Sequence, residues 1–229
     1  MSPRIALCAV LALLPPAAAA GLAGGTITGH VNRVKNRTLM NQDAWVYLVQ
    51  VAPHRRHAPT AHLPPREIRQ QMRAFVPHAM VVALGTEVAF PNYDTIEHNV
   101  FSPSEPPGEW DLGRYNHDLK GRTRVFDDEG EIEIYCDIHK EMWARILVVD
   151  TDPSLIAKVD DAGNYTFTGL PPGTYEVHAW TYASAEPGRQ RVTLTAGQTQ
   201  HVDDLNIQLG ELAASHLRKD GSAYTVGYP

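Results

Sequence analysis

Cys136-Asp-Ile-His139-Lys-Glu-Met142 sets a thiol, an imidazole and a thioether on one short loop, with a second imidazole, His98, further upstream. Thiolate sulfur is a strong, polarizable donor, and two imidazoles complete a trigonal plane around a soft metal ion. A thioether placed weakly along the axis favours the reduced ion. One thiolate, two imidazoles and one thioether are the donors of a type 1 copper site, whose geometry suits both oxidation states. The sequence holds two cysteines, and the other one, Cys8, lies in a stretch that reads as an export signal. The exported chain would carry a single thiol with no disulfide partner, which in an oxidising compartment is a liability unless it is used.

The signal rests on three features. Met1 to Arg4 is a short positive start, Ile5 to Leu14 is an apolar run too short to span a bilayer, and Pro15 and Pro16 break it. Ala17 to Ala23 offers small residues for cleavage, after Ala20 or Ala23, so the signal is assigned to residues 1–23. Leu7 directly before Cys8, and the short run ahead of it, argue against a lipoprotein. No later stretch is long and apolar enough for a membrane helix. The expected product is soluble and periplasmic or secreted.

The 229 residues carry a formal charge of −6, which becomes −7 when Arg4 leaves with the signal. Arg55, Arg56, Arg66, Arg69 and Arg73 face a single acid, Glu67, between His54 and His78, whereas acids outnumber bases from Ala79 to Asp150. Such asymmetry can orient docking. Nothing resembles a nucleic-acid-binding face. No Ser-His-Asp set, carboxylate pair or phosphate-cradling glycine loop stands out, so an enzyme is not expected. His54, His57 and His62 read as a solvated loop, and His78 and His117 as surface residues.

Short apolar or alternating segments separated by Gly and Pro turns indicate an all-β chain of sandwiches. Thr26 to Val31, Ala44 to Val51, Met80 to Leu84, Glu87 to Phe90, Glu131 to Tyr135 and Ala144 to Val149 read as strands. In Glu131-Ile-Glu-Ile-Tyr135 the alternation turns Ile132 and Ile134 to the core. Pro59, Pro64 and Pro65 mark an exposed Pro/His/Arg-rich loop over 53–66. Glu67 to Ala74 is expected to make one or two helical turns, and Ser102 to Asn116 a long loop. Composition shifts after Asp150, where Tyr165, Phe167, Tyr175 and Val177 fall on either side of a Pro-Pro-Gly turn. Residues 24–150 are assigned to a first domain, 151–209 to a smaller β-sandwich, and 210–229 to a frayed tail.

Gly85-Thr-Glu-Val-Ala-Phe-Pro-Asn-Tyr-Asp-Thr-Ile-Glu-His98-Asn-Val-Phe, followed by Tyr135-Cys136-Asp-Ile-His139-Lys-Glu-Met142, resembles the cupredoxin family. The Cys-x-x-His-x-x-Met loop is similar to that of amicyanin and shorter than plastocyanin's. Pro64-Pro-Arg-Glu-Ile, Phe90-Pro-Asn, His98-Asn-Val-Phe-Ser and Asp111-Leu-Gly extend the resemblance to the periplasmic plastocyanin-like proteins labelled methylamine utilisation proteins, over residues 64–150. The resemblance implies a Greek-key sandwich holding one copper per chain, cycling between Cu(I) and Cu(II), on His98, Cys136, His139 and Met142. It implies that Asn99 ties the two ligand loops together. It also implies one-electron transfer with a redox protein such as a cytochrome or a periplasmic oxidoreductase. Two departures stand out. Asp137 occupies a place often held by Ser or Thr, and Lys140 and Glu141 replace a proline and an apolar residue, which leaves Glu141 as an alternative axial ligand. Copper storage or delivery, and a copper enzyme with an open position, are the competing readings.

Asp161-x-Gly-x-Tyr165-x-Phe and Leu170-Pro-Pro-Gly-x-Tyr175 resemble carboxypeptidase regulatory-like (transthyretin-like) domains, which implies a noncatalytic module over 151–209. Gly25-Thr-Ile-Thr-Gly-His-Val and Ala44-Trp-Val-Tyr-Leu resemble the opening strands of that kind of sandwich, yet are assigned to the first domain. A chain ending near Asp150 is accordingly expected to keep its metal site, with a loss of stability where the second sandwich no longer covers the first.

Overall fold

The computed structural model describes residues 23–32, 44–51, 66–103, 109–210 and 216–224. The export signal up to residue 22, the histidines of the Pro/His/Arg-rich loop and Cys8 lie outside the described residues. Strands β1 (Gly25–Asn32) and β2 (Trp45–Gln50) come first, then β3 (Arg66–Glu67), β4 (Arg69–Gln71), β5 (Ala74–Val76) and β6 (Ala79–Ala83). Next are β7 (Thr86–Asn92), β8 (His98–Ser102), β9 (Trp110–Tyr115), β10 (Asp118–Phe126), β11 (Gly130–Tyr135) and β12 (Trp143–Val149). After a short 3₁₀ turn follow β13 (Ile156–Lys158), β14 (Asn164–Leu170), β15 (Gly173–Trp180), β16 (Ser184–Glu186), β17 (Gly188–Leu194), β18 (Thr199–Asn206) and β19 (Gln208–Leu209). The all-β expectation holds, with two sandwiches.

In the first sandwich, a sheet in the order β10-β7-β4-β5, with β3 beside β7, is joined by one in the order β6-β12-β11-β8-β9. Their shared core includes Ile68, Phe75, Val88, Phe90, Val100, Ile132, Ile134 and Ile146, together with Cys136 and Met142. The alternation in β11 works as expected: Ile132 and Ile134 are buried, while Glu131 and Glu133 point outward and clasp Arg145 at 2.9 and 2.7 Å. Two local expectations fail. Instead of helical turns, residues 69–76 form the β4–β5 hairpin, whose tip puts Met72 and Arg73 at φ 53° and 56°. Asp94 holds that unfavourable backbone by accepting both amides, at 2.7 and 2.9 Å. Within the stretch read as a long loop, Trp110 to Tyr115 is strand β9, paired along β8 with Trp110 opposite Ser102 and Tyr115 opposite His98.

The second sandwich corrects the assignment of residues 24–51. β1 lies between β14 and β18, and β2 between β13 and β15, so both N-terminal strands belong with the C-terminal ones. The first sandwich is thus inserted between β2 and β13 of the second. Ala44-Trp-Val-Tyr-Leu misleads because β2 is covered on both faces. Val46 and Leu48 enter the core of the second sandwich with Ile27, Phe167 and Val177, whereas Trp45 and Tyr47 pack into the first. Polar contacts seal the junction. Trp45 Nε1 donates to the Ala79 carbonyl at 3.2 Å, Arg145 to the Tyr182 carbonyl at 2.8 Å, and Thr151 Oγ1 to the Leu48 carbonyl at 2.6 Å. The tail is not frayed throughout either, since residues 216–224 pack against β11 and the loop after it.

A chain ending at Asp150 leaves β1 and β2 with no sheet partner and exposes Ile27, Val46 and Leu48, which pack in the second core. It is expected to aggregate or to lose β-sheet circular dichroism. A soluble, folded monomer of that length in size-exclusion chromatography would contradict the insertion.

Candidate metal centre

β8 and β11 are antiparallel neighbours, with Phe101 opposite Tyr135. That register brings His98, at the start of β8, to the same end of the sheet as Cys136, the residue just after β11. The following loop then closes on itself: Cys136 N donates to the Met142 carbonyl and Met142 N to the His139 carbonyl, both at 3.1 Å. The result is a compact cluster. One ligand-type atom from each of His98, Cys136 and His139 lies within 4.8 Å of the others. His98 Nδ1 and His139 Nδ1 are 3.1 Å apart, and Cys136 Sγ is 3.7 Å from His139 Nδ1.

The surroundings hold these donors in place without a metal. His98 Nε2 is 2.8 Å from Asp94 Oδ2, the same carboxylate that supports the β4–β5 turn. With neutral rings, both contacts of His98 are satisfied if Nε2–H donates to Asp94 and Nδ1 accepts from His139. Asn99 bridges the two ligand segments: its Oδ1 accepts the Asp137 amide at 2.8 Å, and its Nδ2 donates to Asp111 at 2.6 Å. The tie expected of Asn99 is therefore present even though Asp137 stands where Ser or Thr is usual, because the backbone amide makes the bond. The Asp137 carboxylate, itself buried, takes a hydrogen bond from Arg114 at 2.6 Å.

Protonation follows from burial and partners. Burial pushes the Cys136 thiol up, against the pull of the amides of Asn99, Ile138 and His139. The Ile138 amide is 3.4 Å from Sγ, so N–H groups already await a thiolate. Burial pushes His98 down, although Asp94 opposes it, and pushes His139 down with further repulsion from His98. Burial alone would raise Asp94 and Asp137. The Arg73 and Met72 amides and His98 bring the first below the usual carboxylate range, and Arg114 with the Lys219 amide does the same for the second.

Met142 is fully buried in the core next to Cys136, whereas Glu141 is exposed. His139 is half-buried and lines a surface cleft with Arg73, Ile96, Glu97, Arg114, Ile138 and Arg218. His78 and His117 are exposed, as expected. His178 stacks on Tyr47 at 4.8 Å in the second sandwich, and neither it nor His201 joins the cluster. Sequence reasoning missed Asp94, Arg114 and the tail residues His216, Arg218, Lys219 and Tyr224. An acid four residues before His98 was a usable signal for the first. Nothing local marked the others.

The donors fit a soft metal ion such as copper: a buried sulfur with amides aimed at it, and two imidazole nitrogens facing the same point. Residues 143–210 match the model of the carboxypeptidase regulatory-like domain. That span includes β12, which is hydrogen-bonded within the first sandwich, and omits β1 and β2, which complete the second. No curated protein matches the chain at a significant level. Among solved structures, a reduced amicyanin variant is similar at 16% identity and TM-score 0.34, covering 36% of this chain and 80% of that one. A purple cupredoxin from Nitrosopumilus maritimus is similar at 20% identity and TM-score 0.33, covering 37% and 99%. A Cu-containing nitrite reductase from Thermus scotoductus is similar at 20% identity and TM-score 0.37, covering 45% of this chain and only 27% of the reductase.

His98 and His139, together with His178 and His216, which burial also pushes down, contribute to the acid response of the metal-free protein. Unfolded, each imidazole takes a proton near its ordinary value of 6.5, whereas folded it resists until lower pH. The unfolded state therefore binds more protons below that value, and stability falls as the pH drops through it. The denaturant midpoint is expected to fall between about pH 7 and about pH 5, before carboxylates titrate. A midpoint constant over that range would contradict the burial of these rings.

Proposed function

We propose that the protein is an exported copper protein that carries single electrons, holding one copper on His98, Cys136 and His139 with Met142 as the axial donor. The observation that carries this reading is the convergence of two imidazole nitrogens and one buried thiol within 4.8 Å. Bound copper would supply a couple of one-electron steps between Cu(I) and Cu(II). The chain's own part is to keep the donors still. Asp94 fixes the His98 ring, Asn99 fixes the loop of Cys136, and the internal hydrogen bonds of residues 136–142 fix His139, so little must rearrange when charge changes.

The burial of Met142 and the exposure of Glu141 support the thioether as the axial group, and a Met142 side chain packed into the core supports a closed site over an enzyme's open one. His139 is the ligand that reaches the surface, and the guanidinium groups of Arg73, Arg114 and Arg218 around its cleft suit a redox partner with an acidic face. Export, to the periplasm or beyond, rests on the N-terminal signal pattern. Among the described residues no helix is long and apolar enough to cross a membrane.

Copper-loaded protein is expected to show an intense thiolate-to-copper absorption that Cys136→Ser abolishes while the far-ultraviolet circular dichroism stays unchanged. A coloured Cys136→Ser variant would refute the site. Met142→Leu is expected to keep copper and raise the reduction potential, because a weak donor to the oxidised ion is lost. A lower potential in that variant would point to Glu141 instead.

A further inference from the structure

The chain beyond β19 returns to the first sandwich and lands on the outside of the ligand loop. The His216 ring stacks on Tyr135, the residue before Cys136, with centroids 4.1 Å apart and planes 19° apart. Next to it, the Tyr224 hydroxyl donates to the Cys136 carbonyl and lies 3.3 Å from His216 Nδ1. Arg218 Nε donates to the Asp137 carbonyl at 3.2 Å, and the Lys219 amide to the Asp137 carboxylate at 3.3 Å. The Arg218 guanidinium also lies 5.6 Å from the centre of the Tyr224 ring.

These contacts fall on two successive peptide units, and each unit is held from both sides. The unit between Cys136 and Asp137 offers its C=O to Tyr224 and its N–H to Asn99. The unit between Asp137 and Ile138 offers its C=O to Arg218 and its N–H to the Cys136 sulfur. A donor on a peptide carbonyl makes the N–H of the same unit a stronger donor. Arg218 therefore reaches the sulfur through the second peptide unit, without touching it, whereas Tyr224 holds the unit whose N–H goes to Asn99. Donation to the sulfur draws electron density from a thiolate and favours the reduced metal.

We infer that Tyr224 and Arg218 are positioning residues of the metal centre: the C-terminal segment fixes the two peptide units after Cys136, and Arg218 raises the reduction potential through the hydrogen bond that the second unit makes to the sulfur. The inference rests on the copper reading above. It makes the centre depend on a segment beyond the second sandwich, which the reading of residues 210–229 as a frayed tail does not anticipate.

The test uses the full-length chain with Tyr224→Phe, Arg218→Met and, as a control, Leu217→Ser, whose side chain is 57% exposed. In the metal-free proteins, hydrogen exchange of the Asp137 and Ile138 amides is expected to quicken in the first two variants and to stay unchanged in the third. In the copper-loaded proteins, Arg218→Met is expected to lower the potential and shift the thiolate-to-copper band, and Tyr224→Phe to move both less, with copper stoichiometry kept in each. Faster exchange with an unmoved band and potential in Arg218→Met overturns the inference, because the segment is then only a cover. Unchanged exchange and potential overturn it as well. A parent protein that takes up no copper would sink the copper reading by itself, and the exchange comparison would then decide alone whether the segment holds the loop.

Discussion

The centre depends on one register, the pairing of β8 with β11 that sets Phe101 opposite Tyr135. A slip by one residue would send His98 to the other face of its strand and carry Cys136 out of reach of it. Asn99 locks that register where the strands end, since its one side chain reaches the Asp137 amide across the gap and Asp111 on β9. With the two strands locked, two backbone bonds within Cys136 to Met142 close the loop and set His139 beside the sulfur. Burial of Cys136 disfavours the thiolate and holds the sulfur toward its protonated form. A cation in place of the proton would favour the thiolate, as the amides around the sulfur already do.

The second constraint is the shared strand β2. A strand buried on both faces joins two cores, and Trp45 and Tyr47 on one side oppose Val46 and Leu48 on the other. The two sandwiches are therefore not beads on a string. The chain starts in the second sandwich, leaves to build the first, and returns, and its last described residues come back once more to the ligand loop.

The donors were legible from the sequence because their chemistry is unusual: a lone thiol followed at short spacing by an imidazole and a thioether suits a soft metal ion and little else. Alternation in β11 and the Pro-Pro-Gly turn before Tyr175 were legible because they are local. The ownership of β1 and β2 was not, since strand pairing across more than a hundred residues leaves no trace in a strand's own pattern, and a fully apolar run fits any core. The hairpin at 69–76 escaped because Asp94, a distant residue, stabilises its left-handed tip. Tyr224 and Arg218 escaped for a similar reason: a Tyr and an Arg in a polar tail look solvated until a buried carbonyl is found beneath them.

The central claim is that His98, Cys136 and His139 hold one copper between them. Anomalous diffraction at the copper edge, from crystals of the full-length protein grown after loading with one equivalent of copper, tests it most directly. The account predicts a single strong peak within bonding distance of the Nδ1 atoms of His98 and His139 and of the Cys136 sulfur. A peak on other histidines, such as His54, His57 or His62, or no peak at this cluster, would contradict it.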